Sequence, residues 1–287
     1  MEITLSCPVK LNLTLRVLSR RPDGYHELYS LFWKKYSDER LTISQNCDEI
    51  MGDSLDVSGT EIDGENLVTK ALAAARRSFG GIPALKMKLD KIFPAGSGIG
   101  AGSGNAAALL SWLADNYALS LSAGEIGKLG ADVSFLAQKY EMAEARGIGE
   151  ILEPVGAALP LCWLLAFPSW SSNTKEAYSA LDEMRGRDYA PMTPMEAASE
   201  ARNCVKTLAG GGRSGLLPND FYPLLAERHG EYKTAEKIAE ESGAAGWGLC
   251  GSGSAFFALY ADIEAAERAG SERFAREKWI IKTHYLE

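Results

Sequence analysis

The sequence predicts an α+β protein, and three observations carry this prediction. Short segments alternate apolar and polar residues, most clearly 85–89, which is typical of half-buried β-strands. Longer segments space their apolar residues as amphipathic helices do, and these dominate the second half. A glycine-rich turn stands in each half, at 94–105 and at 250–254. Because the strands and helices do not follow one regular βαβ repeat, a mixed α+β arrangement is favoured.

The chain of 287 residues is long enough for two domains. A composition change around Pro154 and Pro160 predicts a boundary there, with domains over 1–156 and 157–287. Since each half carries one glycine-rich turn, we expect a nucleotide to bind in the cleft between the two domains.

The elements follow from the same patterns, taken in chain order. Alternating or continuous apolar runs predict strands at 3–5, 11–17, 41–43, 55–57, 85–89, 163–167, 255–260 and 279–283. Helical spacing predicts helices at 67–79, 106–117, 123–129, 175–184, 194–208, 224–228, 231–242 and 263–278. Asn66 is expected to cap the first of these helices, because its side chain can accept from a free backbone N–H.

Composition excludes several function classes. The net charge of −8 disfavours nonspecific nucleic-acid binding. The apolar run at 159–167 is far too short to cross a membrane, so no membrane partner is expected. The five cysteines are scattered without paired spacing, which argues against a disulfide framework or a zinc site and favours a reducing, cytoplasmic location.

The glycine-rich turn at 94–105 is the most informative segment. Glycines allow positive φ and close backbone approach, and a helix N-terminus adds free N–H groups and partial positive charge. Together they predict a phosphate cradle. The spacing is neither that of a Walker A loop, which needs Lys-Ser or Lys-Thr after its last glycine, nor the dinucleotide fingerprint. A flexible linker is the alternative for this turn taken alone.

Four side chains could carry chemistry, and each has a plainer interpretation. Lys10 stands between apolar neighbours and could be a surface lysine with a packed stem. Asp132 follows Gly130-Ala131 and could be a helix N-cap. Tyr25 and His26 lie in a turn-rich segment, where a packing aromatic and a solvated histidine are the ordinary interpretation.

The joint pattern is more specific than its parts. Lys10-Leu11-Asn12, the 94–105 turn and Gly251-Ser252-Gly253-Ser254 occur in an order that resembles the three motifs of the GHMP kinases. Shorter matching segments point to one branch of that superfamily. They are residues 8–13, 21–28, 105–107, 130–133, 147–150 and 217–221.

The resemblance implies the two-domain GHMP kinase fold and an ATP- and Mg²⁺-dependent small-molecule kinase. The branch phosphorylates the 2-hydroxyl of a methylerythritol unit that carries a cytidine diphosphate group, on the methylerythritol phosphate route to isoprenoids. It further implies no nucleic-acid partner and a monomer or a homodimer.

Residue roles come from the same resemblance. Asp132 matches the catalytic aspartate, which accepts or orients the hydroxyl proton, and Lys10 matches the catalytic lysine beside it. Ser103 offers the best hydroxyl of the loop for the phosphates or Mg²⁺. The ATP-binding positions are Asn66, near the adenine, and Pro94, Ala95, Gly96, Ser97, Gly98, Ile99, Gly100, Ala101, Gly102, Ser103 and Gly104. The substrate-side positions are Asn12, Tyr25, His26, Thr174, Tyr178, Gly251 and Ser252, with Tyr25 and His26 on the cytosine.

Some positions depart from the family pattern. Ser97, Ala101 and Gly104 stand where glycine, glycine and serine are usual, Ser134 replaces a proline, and the segment before Asp132 is about two residues short. Two further hypotheses therefore stay open: a kinase of the same superfamily for another small alcohol, and a nucleotide-binding protein without catalysis. The second requires the shortened segment to displace Asp132.

Overall fold

The computed structural model describes residues 2–46, 52–60, 64–117, 121–186 and 189–274. The predicted strand at 279–283, the end of the predicted helix 263–278 and Cys47 lie outside these residues. No helix of the described segments combines the length and the apolar character that crossing a membrane requires.

Two compact units make up the protein. One contains Met1–Lys10, Lys34–Ala95 and Gly100–Glu141, and the other contains Leu11–Trp33, Gly96–Ile99 and Met142–Glu287. Strands β1 and β2 contribute residues to both units. The unit that contains Lys10 is called unit 1 below, and the other is unit 2.

The strands, in chain order, are β1 Glu2–Arg20, β2 His26–Gln45, β3 Ser54–Gly59, β4 Leu85–Lys91, β5 Met142–Gly147, β6 Ile151–Pro154, β7 Cys162–Ala166, β8 Gly215–Leu216, β9 Gly246–Leu249 and β10 Phe256–Tyr260. The helices are α1 Leu67–Ser78, α2 Ala101–Tyr117, α3 Ala123–Gly127, α4 Ala131–Leu136, α5 Thr174–Arg185, α6 Pro194–Ala209, α7 Tyr222–Arg228, α8 Glu231–Glu241 and α9 Ile263–Glu272.

In unit 1, strands pack beside a helical layer. The second half of β2 pairs antiparallel with β4, Leu41 opposite Leu89, and β4 pairs parallel with β3. The alternation in β4 is as predicted, with Leu85, Met87 and Leu89 buried. Helix α2 packs against α1 and α4. Asn66 caps α1 as expected, because its side chain accepts from the N–H of Val68.

In unit 2, β7, β10, β9 and β8 form a sheet in that order. Strand β10 is antiparallel to β7 and to β9, with Ala258 opposite Leu164 and Trp247. Helices α8 and α9 contact this sheet. The first half of β2 pairs antiparallel with β5, and β5 with β6.

Two element predictions were wrong, and some strands were missed. The N-terminal strand does not stop between residues 5 and 11, because β1 runs unbroken through Pro8. The glycine-rich turn is shorter than predicted, because α2 begins at Ala101 and takes in Gly102, Ser103 and Gly104. Strands β5 and β6 were not predicted, because β5 buries the adjacent residues Met142 and Ala143 and β6 buries none of its residues, so neither alternates like a half-buried strand.

Candidate active site

The glycine-rich loop ends at Gly100, and α2 begins at the next residue. Gly100 has φ +69° and its carbonyl oxygen accepts from the N–H of Gly104 at 2.8 Å, which is the first helical bond. The N–H groups of the next residues, Ala101 to Ser103, therefore belong to the first turn, whose donors have no partner within the helix. This end of α2 has the donors and the partial positive charge that an anion needs.

The middle of the loop, residues 96–99, belongs to unit 2 and packs on the third glycine motif there. Gly98 has φ +82°, and a Cβ atom at this position would overlap the carbonyl oxygen of Cys250. Ser97, which is buried, accepts from the N–H of Ala255 at 3.0 Å through its carbonyl oxygen. These contacts fix the loop conformation, so the linker interpretation is wrong.

Lys10 and Asp132 lie together in unit 1. The ammonium of Lys10 is 3.8 Å from Oδ1 of Asp132, and the two side chains are 5% and 33% exposed. Lys10 is thus not a surface lysine. Asp132 is not the N-cap of α4 either, because Gly130 takes that position and Asp132 lies in the first turn. The shortened segment before Asp132 leaves it beside Lys10.

Gly100 brings the loop end to this pair. A Cβ atom on Gly100 would lie 3.2 Å from Oδ2 of Asp132 and 3.5 Å from Cγ of Lys10. A carboxylate, an ammonium and the beginning of a helix therefore meet at one place in unit 1. In such an arrangement the carboxylate can orient a hydroxyl and accept its proton, and the ammonium and the helix N-terminus can stabilise negative charge that develops during a reaction.

His26 is buried in unit 2 and is held on two sides. Its Nε2 lies 2.8 Å from Oδ1 of Asp182, and its ring stacks on Tyr178 with centroids 5.2 Å apart. Tyr178 in turn meets Phe221 edge-on at 4.9 Å. His26 is therefore not solvated, whereas Tyr25 is 61% exposed. A carboxylate on one nitrogen of an imidazole fixes which edge is available to a ligand.

The remaining predicted substrate-side residues are in unit 2. Asn12 is buried and donates to the hydroxyl of Ser30 at 2.8 Å. The hydroxyls of Thr174 and Ser252 are 3.1 Å apart, so the start of α5 meets the third glycine motif. In unit 1, the Nδ2 of Asn66 is buried without a hydrogen-bond partner among the described residues.

Two functional candidates escaped the sequence analysis. Asp182 had a detectable signal, since it lies four residues after Tyr178 on a predicted helix and so shares its face. Asn219 belongs to a segment that was singled out without a role. Its amide donates to the carbonyl oxygens of Leu249 and Gly251 at 3.0 and 2.9 Å and so shapes the third glycine motif.

Comparisons with known proteins agree with this geometry. The model of the GHMP kinases N terminal domain matches residues 66–143, and that of the GHMP kinases C terminal domain matches 212–276. The 4-diphosphocytidyl-2-C-methyl-D-erythritol kinase of Symbiobacterium thermophilum is 32% identical over 286 residues, covering 97% of this chain and 99% of that protein. The enzyme of the same name from Moorella thermoacetica is 36% identical, with 94% of each chain covered.

Solved structures extend the likeness. A crystal structure of 4-(cytidine 5'-diphospho)-2C-methyl-D-erythritol kinase superposes with a TM-score of 0.78 at 31% identity, covering all of both chains. Homoserine kinase from Cytophaga hutchinsonii gives a TM-score of 0.65 at 15% identity over 99% of this chain and 96% of that one, which is a likeness of fold alone.

Proposed function

Because the chain belongs to the 4-diphosphocytidyl-2-C-methyl-D-erythritol kinase family of the GHMP kinases, and is thus a small-molecule kinase with the GHMP kinase fold, we propose that it phosphorylates the 2-hydroxyl of 4-diphosphocytidyl-2-C-methyl-D-erythritol. ATP is the proposed phosphoryl donor and Mg²⁺ the proposed metal. The reaction belongs to the methylerythritol phosphate route to isoprenoid precursors. The proposed domains are 1–156 and 157–287. The match to the N-terminal family model, 66–143, falls within the first, and the match to the C-terminal model, 212–276, falls within the second.

One observation carries the proposal: the 3.8 Å approach of Lys10 to Asp132 beside the residue at which α2 begins. In phosphoryl transfer, positioning and electrostatics do most of the work. Asp132 would accept or orient the proton of the attacking hydroxyl. Lys10 would stabilise the negative charge that builds up on the phosphoryl group during transfer.

The glycines of the loop support its assignment to a triphosphate. Side chains at Gly98 and Gly100 would be strained by positive φ and would meet neighbouring protein atoms, so the loop keeps a conformation that only glycine adopts readily. We assign residues 94–104 to the phosphates and the hydroxyl of Ser103, in the first turn of α2, to phosphate or Mg²⁺. Bound Mg²⁺ would neutralise phosphate charge, and it commonly needs few protein ligands because it keeps several waters. The buried Nδ2 of Asn66, which has no hydrogen-bond partner among the described residues, suits a polar adenine edge, while Oδ1 of the same amide caps α1.

The substrate side is assigned to unit 2. His26, with its Nε2 on Asp182, would hydrogen-bond the cytosine, and Tyr25 and Tyr178 offer aromatic faces. Asn12, Thr174, Gly251 and Ser252 are the other proposed contacts. Each is positioned by hydrogen bonds or by a glycine conformation within unit 2.

A coupled ADP-release assay with ATP and Mg²⁺ tests the proposal. We expect ADP release that depends on 4-diphosphocytidyl-2-C-methyl-D-erythritol, and none above background with homoserine or mevalonate. If the protein turned over only another alcohol, the proposed substrate would be contradicted, but the protein would still be a small-molecule kinase. ATP binding without turnover on any of these alcohols would favour the protein without catalysis.

A further inference from the structure

A buried cluster in unit 1 joins the two ends of the phosphate loop. It consists of Glu39 on β2, Lys91 at the end of β4 and Asn105 in α2. Glu39 is wholly buried, and Lys91 and Asn105 are 7% and 1% exposed. Charges are seldom buried so completely, because removing them from water costs free energy that good geometry must offset.

The Glu39 carboxylate is directed at the chain just before the loop. Its Oε1 accepts from the backbone N–H groups of Ile92 and Phe93, both at 3.0 Å, and lies 3.2 Å from the ammonium of Lys91. Phe93 directly precedes Pro94, where the loop begins. The carboxylate thus fixes the backbone at the entry to the loop.

The same carboxylate also holds the chain just after the loop. Its Oε2 accepts from Nδ2 of Asn105 at 2.7 Å, and Oδ1 of Asn105 accepts from the Lys91 ammonium at 3.0 Å. Asn105 directly follows Gly104, the last residue of the 94–104 segment, and lies in the second turn of α2. Both oxygens of one carboxylate are therefore used, one on the chain before the loop and one on the helix into which the loop leads.

We infer that Glu39 is a positioning residue for phosphate binding, which it supports by clamping both ends of the 94–104 loop through hydrogen bonds to Ile92, Phe93 and Asn105. This inference rests on the proposed function, since it takes the loop to hold the phosphates of ATP. Lys91 compensates the buried charge. Loop geometry within about an ångström decides how well the backbone donors meet a phosphate.

Two double variants distinguish an effect of the hydrogen bonds of Glu39 on ATP binding from an effect of core packing. In Glu39→Gln/Lys91→Met, the new amide can accept from Ile92 and Phe93 through its oxygen. Its nitrogen can donate to Oδ1 of Asn105 once the Asn105 amide flips, which the loss of the Lys91 ammonium from Oδ1 permits, so the clamp is kept without charge. In Glu39→Leu/Lys91→Met, the cluster is equally uncharged and filled with apolar atoms, but the acceptor is gone. We expect ATP affinity within about threefold of wild type for the first and weaker by about tenfold for the second.

The measurement is ATP binding by isothermal titration calorimetry on the full chain, with thermal unfolding to verify the fold and Ile238→Ala as a destabilised control from the core of unit 2. KM for the alcohol should stay unchanged in both double variants while KM for ATP rises only in the second. Equal ATP affinity of the two double variants would overturn the inference. A wild type that binds no ATP would instead overturn the proposed function.

A single variant keeps the test decisive if the leucine variant does not fold. Glu39→Gln alone sets the new amide nitrogen against the charged Lys91 and should weaken ATP binding, and adding Lys91→Met should relieve that defect. If the single variant binds ATP like wild type, or if its defect persists in the double variant, Glu39 does not position the loop.

Discussion

A Cβ atom at Gly104 would overlap the carbonyl oxygen of Pro8, so α2 lies against the backbone of β1 at this residue. The close approach leaves room for glycine alone at position 104. The approach brings α2 close to the strand that carries Lys10.

Gly104→Ala should destabilise the protein. The added methyl group has only rigid backbone to meet, and overpacking of this kind costs about 1–3 kcal/mol. Gly102→Ala is the matched control in the same helical turn, because a Cβ there has only Leu67 Cδ1 nearby, at 3.8 Å. It should stabilise by up to about 1 kcal/mol through helix propensity. Urea unfolding measures both changes, and a stable Gly104→Ala would contradict the close approach.

Lys10→Met should lower kcat by about 10²–10³-fold, because it removes a buried cation beside the acceptor carboxylate. KM for ATP should change much less, since the loop backbone is intact. Lys86→Met, an exposed lysine on β4, is the control that should keep full activity. Steady-state kinetics measure both parameters. A normal kcat in Lys10→Met would show that Lys10 has no role in phosphoryl transfer.

Asp182→Ala should raise KM for the cytidine substrate by about tenfold, which is about 1.4 kcal/mol. The loss is within the general range for one hydrogen bond, about 0.5–1.5 kcal/mol, here the one that orients His26 at 2.8 Å. Glu183→Gln, exposed on the same helix, is the control. KM for ATP should not change in either variant. An unaltered KM for the cytidine substrate in Asp182→Ala would show that His26 needs no fixed orientation.

Burial lowers the pKa of Lys34 to about 8, although Glu141 acts in the opposite direction. Its ammonium donates to the carbonyl oxygen of Gln138, just beyond α4. Below pH 8 the folded protein carries this buried charge at a cost on the order of 3 kcal/mol. Between pH 8 and 10.5 the unfolded chain binds the proton that the folded protein has released, so this cost to stability declines as pH rises.

Lys34→Met should therefore stabilise most below pH 8, and its advantage over wild type should shrink as pH approaches 10.5. Urea unfolding of both proteins between pH 7 and 10 measures the difference in free energy of unfolding. Lys86→Met, at an exposed lysine of β4, is the matched control. A difference that stays constant with pH would contradict the lowered pKa.

Sequence analysis succeeded where a motif has distinctive residues in a distinctive order. The GHMP kinase fold was expected from the motifs around Lys10, the glycine-rich loop and the 250–254 turn, and the comparisons confirm it. The proximity of Lys10 to Asp132 was expected too, and the structure has it. Composition gave no comparable help with β5 and β6, whose pairing depends on distant parts of the chain.

Glu39 shows why other residues were missed. It stands in a charged stretch, Asp38-Glu39-Arg40, that looks solvent-exposed. Yet Ser37, Glu39, Leu41 and Ile43 share the buried face of β2, at the two-residue period of a strand. Extending the Leu41-Ile43 alternation backwards would have placed Glu39 inside. The start of α2 at Ala101 was missed for a different reason, since Gly102 and Gly104 are poor helix formers that tertiary contacts override.

The central claim is that Asp132 serves phosphoryl transfer to the alcohol. The most direct measurement is ADP release with ATP, Mg²⁺ and 4-diphosphocytidyl-2-C-methyl-D-erythritol for wild type and Asp132→Asn, with ATP affinity determined for both. We predict substrate-dependent turnover in wild type, a kcat lower by about 10²–10⁴-fold in Asp132→Asn, and ATP affinity within about threefold. Undiminished turnover in Asp132→Asn would contradict the account.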